Sequence, residues 1–170
     1  QLEGLSKTEI EIAGEDCDEG FVKENDCEFF TSFKTGQKTV WFYDHRENRK
    51  KLSRYVNGKT VLDLFSYLGA FGIPAVKYGA RQVTCVDASQ SAIDLLQRNA
   101  HHNHVAQKIE CVKSDVFAYL KELQKNKQSF DIIILDPNAF IKKNKDIKSW
   151  LQAYESLHQI ALSFLKQKGI

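Results

Sequence analysis

The sequence predicts an α/β fold, a parallel sheet with helices on both faces, and three observations predict it. From Lys59 onward short apolar runs alternate with stretches of helical periodicity. Each apolar run ends in or beside an acidic residue. The connections are long enough for right-handed crossovers, which bring consecutive strands into one parallel sheet.

The elements follow in order. Residues 60–65 (TVLDLF) form the first strand, followed by the turn-like SYLG. Residues 70–78 read as a helix closed by Gly79, since glycine accepts the left-handed conformation that ends helices. Residues 82–86 (QVTCV) make a second strand running into Asp87. Residues 89–99 form an amphipathic helix with Ala92, Leu95, Leu96 and Asn99 on or near one face. A third strand covers 108–112 and a helix 116–123. A fourth strand, 130–135 (FDIIIL), runs into Asp136, and a long helix covers 146–165. At Gly169-Ile170 a further strand is expected to begin. The sheet is therefore expected to be truncated after its fourth strand, with an open edge that invites association into a homodimer.

Residues 1–58 read differently, as a small β/helix segment ahead of the α/β domain at 59–170. Residues 8–13 (TEIEIA) alternate as a half-exposed strand should. Residues 27–34 and 39–43 are rich in Phe, Thr, Val and Trp and flank Gly36, which predicts a β-hairpin. Residues 44–56 read as a basic helix with Asp44 as its N-cap.

Composition narrows the function. The 170 residues are 42% hydrophobic and 27% charged, an ordinary globular mixture. No apolar run approaches the ~20 residues of a membrane span, and no signal peptide opens the chain, so no membrane partner and a cytoplasmic setting are expected. The net charge of +2 is too small to mark a nucleic-acid binder, but basic residues cluster. One group runs from Lys34 and Lys38 through Arg46, Arg49, Lys50, Lys51 and Arg54 to Lys59. A second comprises Lys142, Lys143, Lys145 and Lys148. Each is a polyanion surface or a solvated face. Cys17, Cys27, Cys85 and Cys111 form no C-x-x-C pair, and Cys85 and Cys111 read as buried thiols. His101, His102 and His104 have no partners at ligand spacing, so no metal is expected.

In an open parallel sheet ligands bind at the carboxyl ends of the strands. Those ends carry Asp63 with the turn of Phe65, Ser66 and Gly69; Asp87-Ala88; Ser114-Asp115-Val116; and Asp136-Pro137. Gly69 and Gly72 do not make a G-x-G-x-x-G turn, and no lysine-serine phosphate loop is present, which disfavours NAD and nucleoside triphosphates. Asp87, 18 residues after Gly69, can accept both hydroxyls of a ribose. A ribose-binding acid without a pyrophosphate cradle suits S-adenosylmethionine. Asp63 then faces the positive end, and Asp115 the adenine amino group, with Val116 and Phe117 against the ring. Each acid also has a plain structural use, as a turn partner or a helix cap. Their joint placement favours the ligand reading.

The segments V-L-D-L-F-S-Y-L-G-A-F-G, C-V-D-A-S, K-S-D-V-F and F-D-I-I-I-L-D-P resemble, in order and spacing, the methyltransferase domain of bacterial ribosomal RNA methyltransferases. The nearest group carries an N-terminal PUA domain and methylates C5 of a cytosine in large-subunit rRNA. The upstream G-Q-K-T-V-W-F-Y-D-H-R-E-N-R is similar to that group's Q-K-T-G-x-F-x-D-x-R-x-N-R signature. The resemblance implies a class I, Rossmann-like methyltransferase fold, S-adenosylmethionine as cofactor and ribosomal RNA as substrate. It places Asp63, Phe65, Ser66 and Gly69 at the methionine side, Asp87 and Ala88 at the ribose, and Ser114, Asp115 and Val116 at the adenine. Asp136 and Pro137 border the target base as the catalytic pair. Gln37, Lys38, Phe42, Asp44, Arg46 and Arg49 fold over the cofactor or the RNA.

Three positions depart from the pattern: Asn138 replaces a second proline, Val40 a glycine and Leu68 a threonine. Cytosine C5 must be activated by a thiolate adding to C6; none of the cysteines stands at a strand end, and the resemblance implies a nucleophile after a fifth strand, beyond residue 170. Two other readings stay open: an amino-group methyltransferase on RNA or protein, and a non-catalytic cofactor- or RNA-binding module. Trp41 and Phe42 are either base-stacking residues or hairpin core.

Overall fold

The computed structural model describes residues 19–32, 41–137 and 147–170. The first described element is a hairpin of β1 (Glu19–Glu24) and β2 (Cys27–Ser32), antiparallel with Glu24 opposite Cys27. Asn25 and Asp26 turn it with φ of 51° and 60°. Two left-handed central residues match the twist of the flanking strands, and Asn and Asp tolerate that conformation best among non-glycine residues. This hairpin lies one strand before the one predicted around Gly36, whose turn falls outside the described residues. Residues 33–40 and 8–13 lie outside the described residues, and the expected return strand at 39–43 is not formed over 41–43, which lead instead into a 3₁₀ turn, Tyr43–His45.

The expected helix over 44–56 is broken into three pieces: that 3₁₀ turn, α1 (Arg46–Lys51) and a second 3₁₀ turn, Leu52–Arg54. Asp44 does not cap it. It sits inside the first turn with an exposed carboxylate, and no side chain caps either start. A six-residue helix has no stability of its own. Its anchor is Arg49, buried on its inner side.

The main sheet is parallel, of β3 (Thr60–Leu64), β4 (Gln82–Asp87), β5 (Ile109–Lys113) and β6 (Ile132–Leu135), in the order β5-β4-β3-β6. The chain builds outward from β3 to β5, then returns to place β6 on the other side of β3. Strand order thus reverses between β3 and β6, the kind of crevice that holds ligands in such sheets. The helices are α2 (Gly72–Lys77), α3 (Gln90–His102), α4 (Val116–Asn126) and α5 (Ile147–Leu162). Gly79, at φ 95°, donates its amide to Val76 and ends α2 as the sequence predicts.

Alternate strand residues feed two cores, as the two-residue period requires. Val61, Val83 and Cys85 join Leu68, Ile73 and Leu96 on one face; Leu62, Leu64 and Val86 join Leu120, Leu123 and Leu157 on the other. Phe29 and Trp41 belong to the first core, so the hairpin side packs on α3. Asn99, fully buried on α3, locks it there. Its carbonyl accepts from the Phe30 amide at 2.8 Å, and its amide group donates to the Phe30 and Leu68 carbonyls.

The outer edge of β6 is not open as expected. The Phe130 amide donates to Phe164, Lys166 to Phe130, Ile170 to Asp131 and Ile133 to Ile170, so residues 164–170 run along it. Among the described residues no helix is long and apolar enough to cross a membrane.

Candidate ligand site

The site begins where β3 runs out. Phe65, Tyr67 and Gly69 have φ of 61°, 47° and 87°, so the turn passes three times through the left-handed region. For the two aromatic residues this costs energy, and surrounding contacts must hold it. The Ser66 amide donates to the Val86 carbonyl at 3.0 Å, the Tyr67 amide to the Asp87 carboxylate at 2.9 Å, and the Gly69 amide to the Ser66 carbonyl at 2.8 Å. Asp87 therefore shapes the turn directly.

Asp63 lies beneath this turn, 2% exposed. Gly72 makes room for it: a Cβ there would stand 2.5 Å from the Cys85 sulfur and 3.2 Å from an Asp63 oxygen. Burial pushes the Asp63 carboxyl up to about 8; the Gly72 amide opposes the rise by donating to it, while Asp136 and Asp87 add to it. The Ser66 hydroxyl, also buried, has no hydrogen-bond partner.

A cavity of about 170 Å³ opens over these groups. Of the residues expected at the ligand, Asp63, Phe65, Ser66, Phe42, Arg49, Asp136 and Pro137 line it together. Gly69, Asp87, Ala88, Ser114, Asp115 and Val116 do not. Gly69 packs under the turn, where an added Cβ would meet Ile73 and Leu96 at 3.0–3.2 Å. Asp87 is not a helix cap. Ser89 caps α3 by accepting from the Ala92 amide, while Asp87 accepts from the Tyr67 and Ser89 amides. Ala88 is exposed beside it. Ser114 donates its amide to the Asp87 carbonyl, which joins the ends of β4 and β5. Asp115 is the N-cap of α4 and accepts from the Ala118 amide at 3.0 Å. Val116 points into the second core at 2% exposure, so its side chain offers no surface to a ring; Phe117 is only partly buried.

The upstream segment also differs from expectation. Gln37 and Lys38 lie outside the described residues. Asp44 and Arg46 are exposed. Arg49, expected to fold over the cofactor or the RNA, lines the cavity but is 2% exposed, with its guanidinium paired inward. It donates to Glu24 through Nε and Nη2, and through Nη2 to the Phe42 carbonyl at 2.8 Å. Trp41 is core: it is 4% exposed, packs on Phe29 at 4.7 Å between centroids, and donates to Glu24 at 2.9 Å. Phe42, 38% exposed, forms a cavity wall instead.

His45, Tyr67, Ala70 and Phe71 complete the lining and were not singled out from sequence. His45 Nδ1 lies 3.8 Å from an Asp136 oxygen, and its ring meets Phe71 edge-on at 6.1 Å. Tyr67, Ala70 and Phe71 could have been found, because they sit in the same glycine-bearing turn as Ser66. Nothing in the pattern around His45 marks it. Among the described cysteines none is activated: burial raises the Cys27 and Cys111 thiols to about 11 and Cys85 well above its usual range.

The arrangement selects charge. Asp63 and Asp136 face the cavity with Asp87 just behind, and the Arg49 cation that lines it is already paired with Glu24. A ligand with a cationic end fits, with the orphan Ser66 hydroxyl ready for a polar partner.

Residues 48–168 match the protein family described as conserved hypothetical protein 95. The chain is 35% identical over 170 residues to ribosomal RNA large subunit methyltransferase I of Aeromonas salmonicida, covering 99% of this chain and 43% of that protein. It is 34% identical over 150 residues to the protein of the same name from Yersinia pseudotuberculosis, covering 88% of this chain and 38% of that protein. The chain thus spans less than half the length of these curated relatives. A solved structure described as a SAM-dependent methyltransferase from Streptococcus mutans superposes with a TM-score of 0.79 at 29% identity, over 93% of this chain and 41% of that one. Another, described as a methyltransferase complexed with SAH, gives 0.81 at 30%, over 93% and 42%. These likenesses establish the α/β, Rossmann-like methyltransferase fold.

Proposed function

The chain belongs to the family described as conserved hypothetical protein 95, and from that membership we propose that it is the S-adenosylmethionine-binding part of an enzyme that methylates large-subunit ribosomal RNA. The observation that carries this reading is the strand-end cavity, with the buried Asp63 carboxyl and orphan Ser66 hydroxyl under a strained turn. The names of the relatives support the substrate class.

S-adenosylmethionine supplies a methyl group on a sulfonium, ready for transfer to a nucleophile. Asp63 offsets the positive end of the ligand, and the turn of Phe65, Ser66 and Gly69 holds its methionine side. Asp87, beside Ala88, accepts from the ribose. The Ser114-Asp115-Val116 backbone borders the adenine while Asp115 keeps its capping bond. Asp136 and Pro137 face the target base, with His45 beside Asp136. Phe42 and Arg49 line the cavity from the segment before and within α1, Asp44 and Arg46, exposed on that segment, face the RNA, and Gln37 and Lys38 keep the same role from the sequence signature alone.

The target we favour is C5 of a cytosine, as in the PUA-containing group. That chemistry needs a thiolate, and we assign none of the described cysteines to the role, because they are buried or away from the cavity. One observation favours a second reading, methylation of an amino group: no described cysteine lines the cavity, and an amine needs none.

Calorimetric titration with S-adenosylmethionine tests the cofactor reading. We expect binding near micromolar, about −8 kcal/mol, abolished in Asp63→Asn and weakened at least tenfold in Asp87→Ala. Because a bound cation favours the Asp63 carboxylate, binding releases a proton when the free carboxyl is protonated. Affinity therefore rises with pH until about 8 and then levels off. A folded chain that takes up no S-adenosylmethionine at any pH overturns the proposal.

A further inference from the structure

Glu24 does not touch the cavity, yet it governs Arg49, the one buried cation among the described residues that does. It is the last residue of β1 and only 6% exposed. A buried carboxylate persists where it is paired and fully hydrogen-bonded. Here it accepts from Trp41 Nε1 at 2.9 Å and from Arg49 Nε and Nη2, the latter at 2.9 Å. Burial works against the Glu24 carboxylate, but the bonds from Arg49 and Trp41 outweigh it and hold its pKa below the ordinary value.

Arg49 is the pivot. Its guanidinium lies 4.7 Å from the Trp41 ring centroid and 5.7 Å from that of Phe71, and it donates to the Phe42 carbonyl. Arg49, Phe42 and Phe71 all line the cavity with Asp63 and Asp136. A full positive charge at this place would oppose a cationic ligand and attract the two aspartates that the ligand needs. Glu24 cancels that charge. Its fork-to-fork geometry also fixes the Arg49 plane, and through it Phe42 as a wall.

We propose that Glu24 is a positioning residue for ligand selection: by neutralising and orienting Arg49 it sets the cavity to prefer the sulfonium ligand over its demethylated product. This rests on the cofactor reading above. S-adenosylmethionine and S-adenosylhomocysteine differ by one methyl and one positive charge at sulfur, so their affinity ratio reads the local charge. Loss of a merely structural contact weakens both alike.

The test is calorimetry on the full 170-residue chain with each ligand. Glu24→Gln should weaken S-adenosylmethionine at least tenfold and S-adenosylhomocysteine several-fold less, so the ratio falls. Glu24→Asp, which keeps the charge, should keep the ratio even if both affinities drop. The double variant Glu24→Gln/Arg49→Gln, which removes both charges, should restore the ratio. Leu157→Ala, in the opposite core, serves as a stability-matched control and should leave the ratio unchanged. If the wild-type chain binds both ligands and the ratio is unmoved in Glu24→Gln, the inference fails while the cofactor reading stands. It fails equally if the double variant keeps the altered ratio. If Glu24→Gln does not fold, Arg49→Gln, which leaves the Glu24 charge uncancelled, should raise the ratio, and an unmoved ratio there overturns the inference. If the wild-type chain binds neither ligand, the cofactor reading fails and takes the inference with it.

Discussion

Two regions meet over the same cavity and are built in opposite ways. The turn at 65–71 is local: every residue it brings to the cavity lies within a few positions of β3, and its conformation is held by the Val86 carbonyl and the Asp87 carboxylate of β4. The segment at 41–54 is assembled from afar. Its short helix is anchored by an ion pair between residues 25 apart in sequence, with both side chains 3% exposed. The first region stores strain and an unfavourably buried acid. The second stores a desolvated charge pair. Close packing guards the one, electrostatic balance the other.

Arg49→Ala should break the second region most severely. It leaves Glu24 buried without its cation, at a cost of about 3–5 kcal/mol, read by chemical denaturation. Replacing both partners with apolar residues, Glu24→Leu with Arg49→Met, should cost less than Arg49→Ala alone. A double variant less stable than the single one would show that packing, not charge balance, holds the segment.

Gly72→Ala attacks the first region. The new methyl would stand 2.5 Å from the Cys85 sulfur, and relieving that contact should cost about 1–3 kcal/mol. Adding Cys85→Ala should recover most of it. Failure to recover would mean that the clash with Asp63, at 3.2 Å, dominates.

The smallest effect belongs to Asp115, which caps α4 and for which a second role, at the adenine, is proposed. Asp115→Ala removes the α4 cap and should cost about 1 kcal/mol. Asp115→Ser keeps a cap and should spare stability while still weakening S-adenosylmethionine binding. Unchanged affinity in both variants would confine Asp115 to capping.

The same contrast explains what the sequence disclosed. The strands, their parallel pairing and the acids at their ends were legible because apolar runs between helical stretches and strand-end chemistry are local signals. The β1–β2 hairpin was missed because its sign was only Asn25-Asp26, an Asx pair that tolerates the left-handed turn, with no glycine to mark it. The basic run around Arg49 marks a charged surface, and nothing in it tells that Arg49 itself is buried. Only the fold shows that Glu24 meets it. Val116 was read as a ring surface, since sequence cannot tell which side of a helix start faces the core. His45 went unnoticed, because its nearness to Asp136 joins segments far apart in the chain.

At the pole of the sheet away from the cavity, Asp131 binds the Thr60 amide and hydroxyl and the Lys166 ammonium. Thr60's hydrogen bonds, backbone first, then Lys166 hold its carboxyl well below the usual range. Its contribution to stability is present above the ordinary carboxylate pKa and is lost as pH falls toward its own. Asp63 runs the other way. Its contribution is greatest below the ordinary pKa and is lost as pH rises toward about 8. For these two groups alone, the ligand-free sheet is most at ease in mild acid. A cation seated on Asp63 removes the alkaline penalty and moves that optimum toward neutrality, so the ligand would set the acidity in which the fold is most secure.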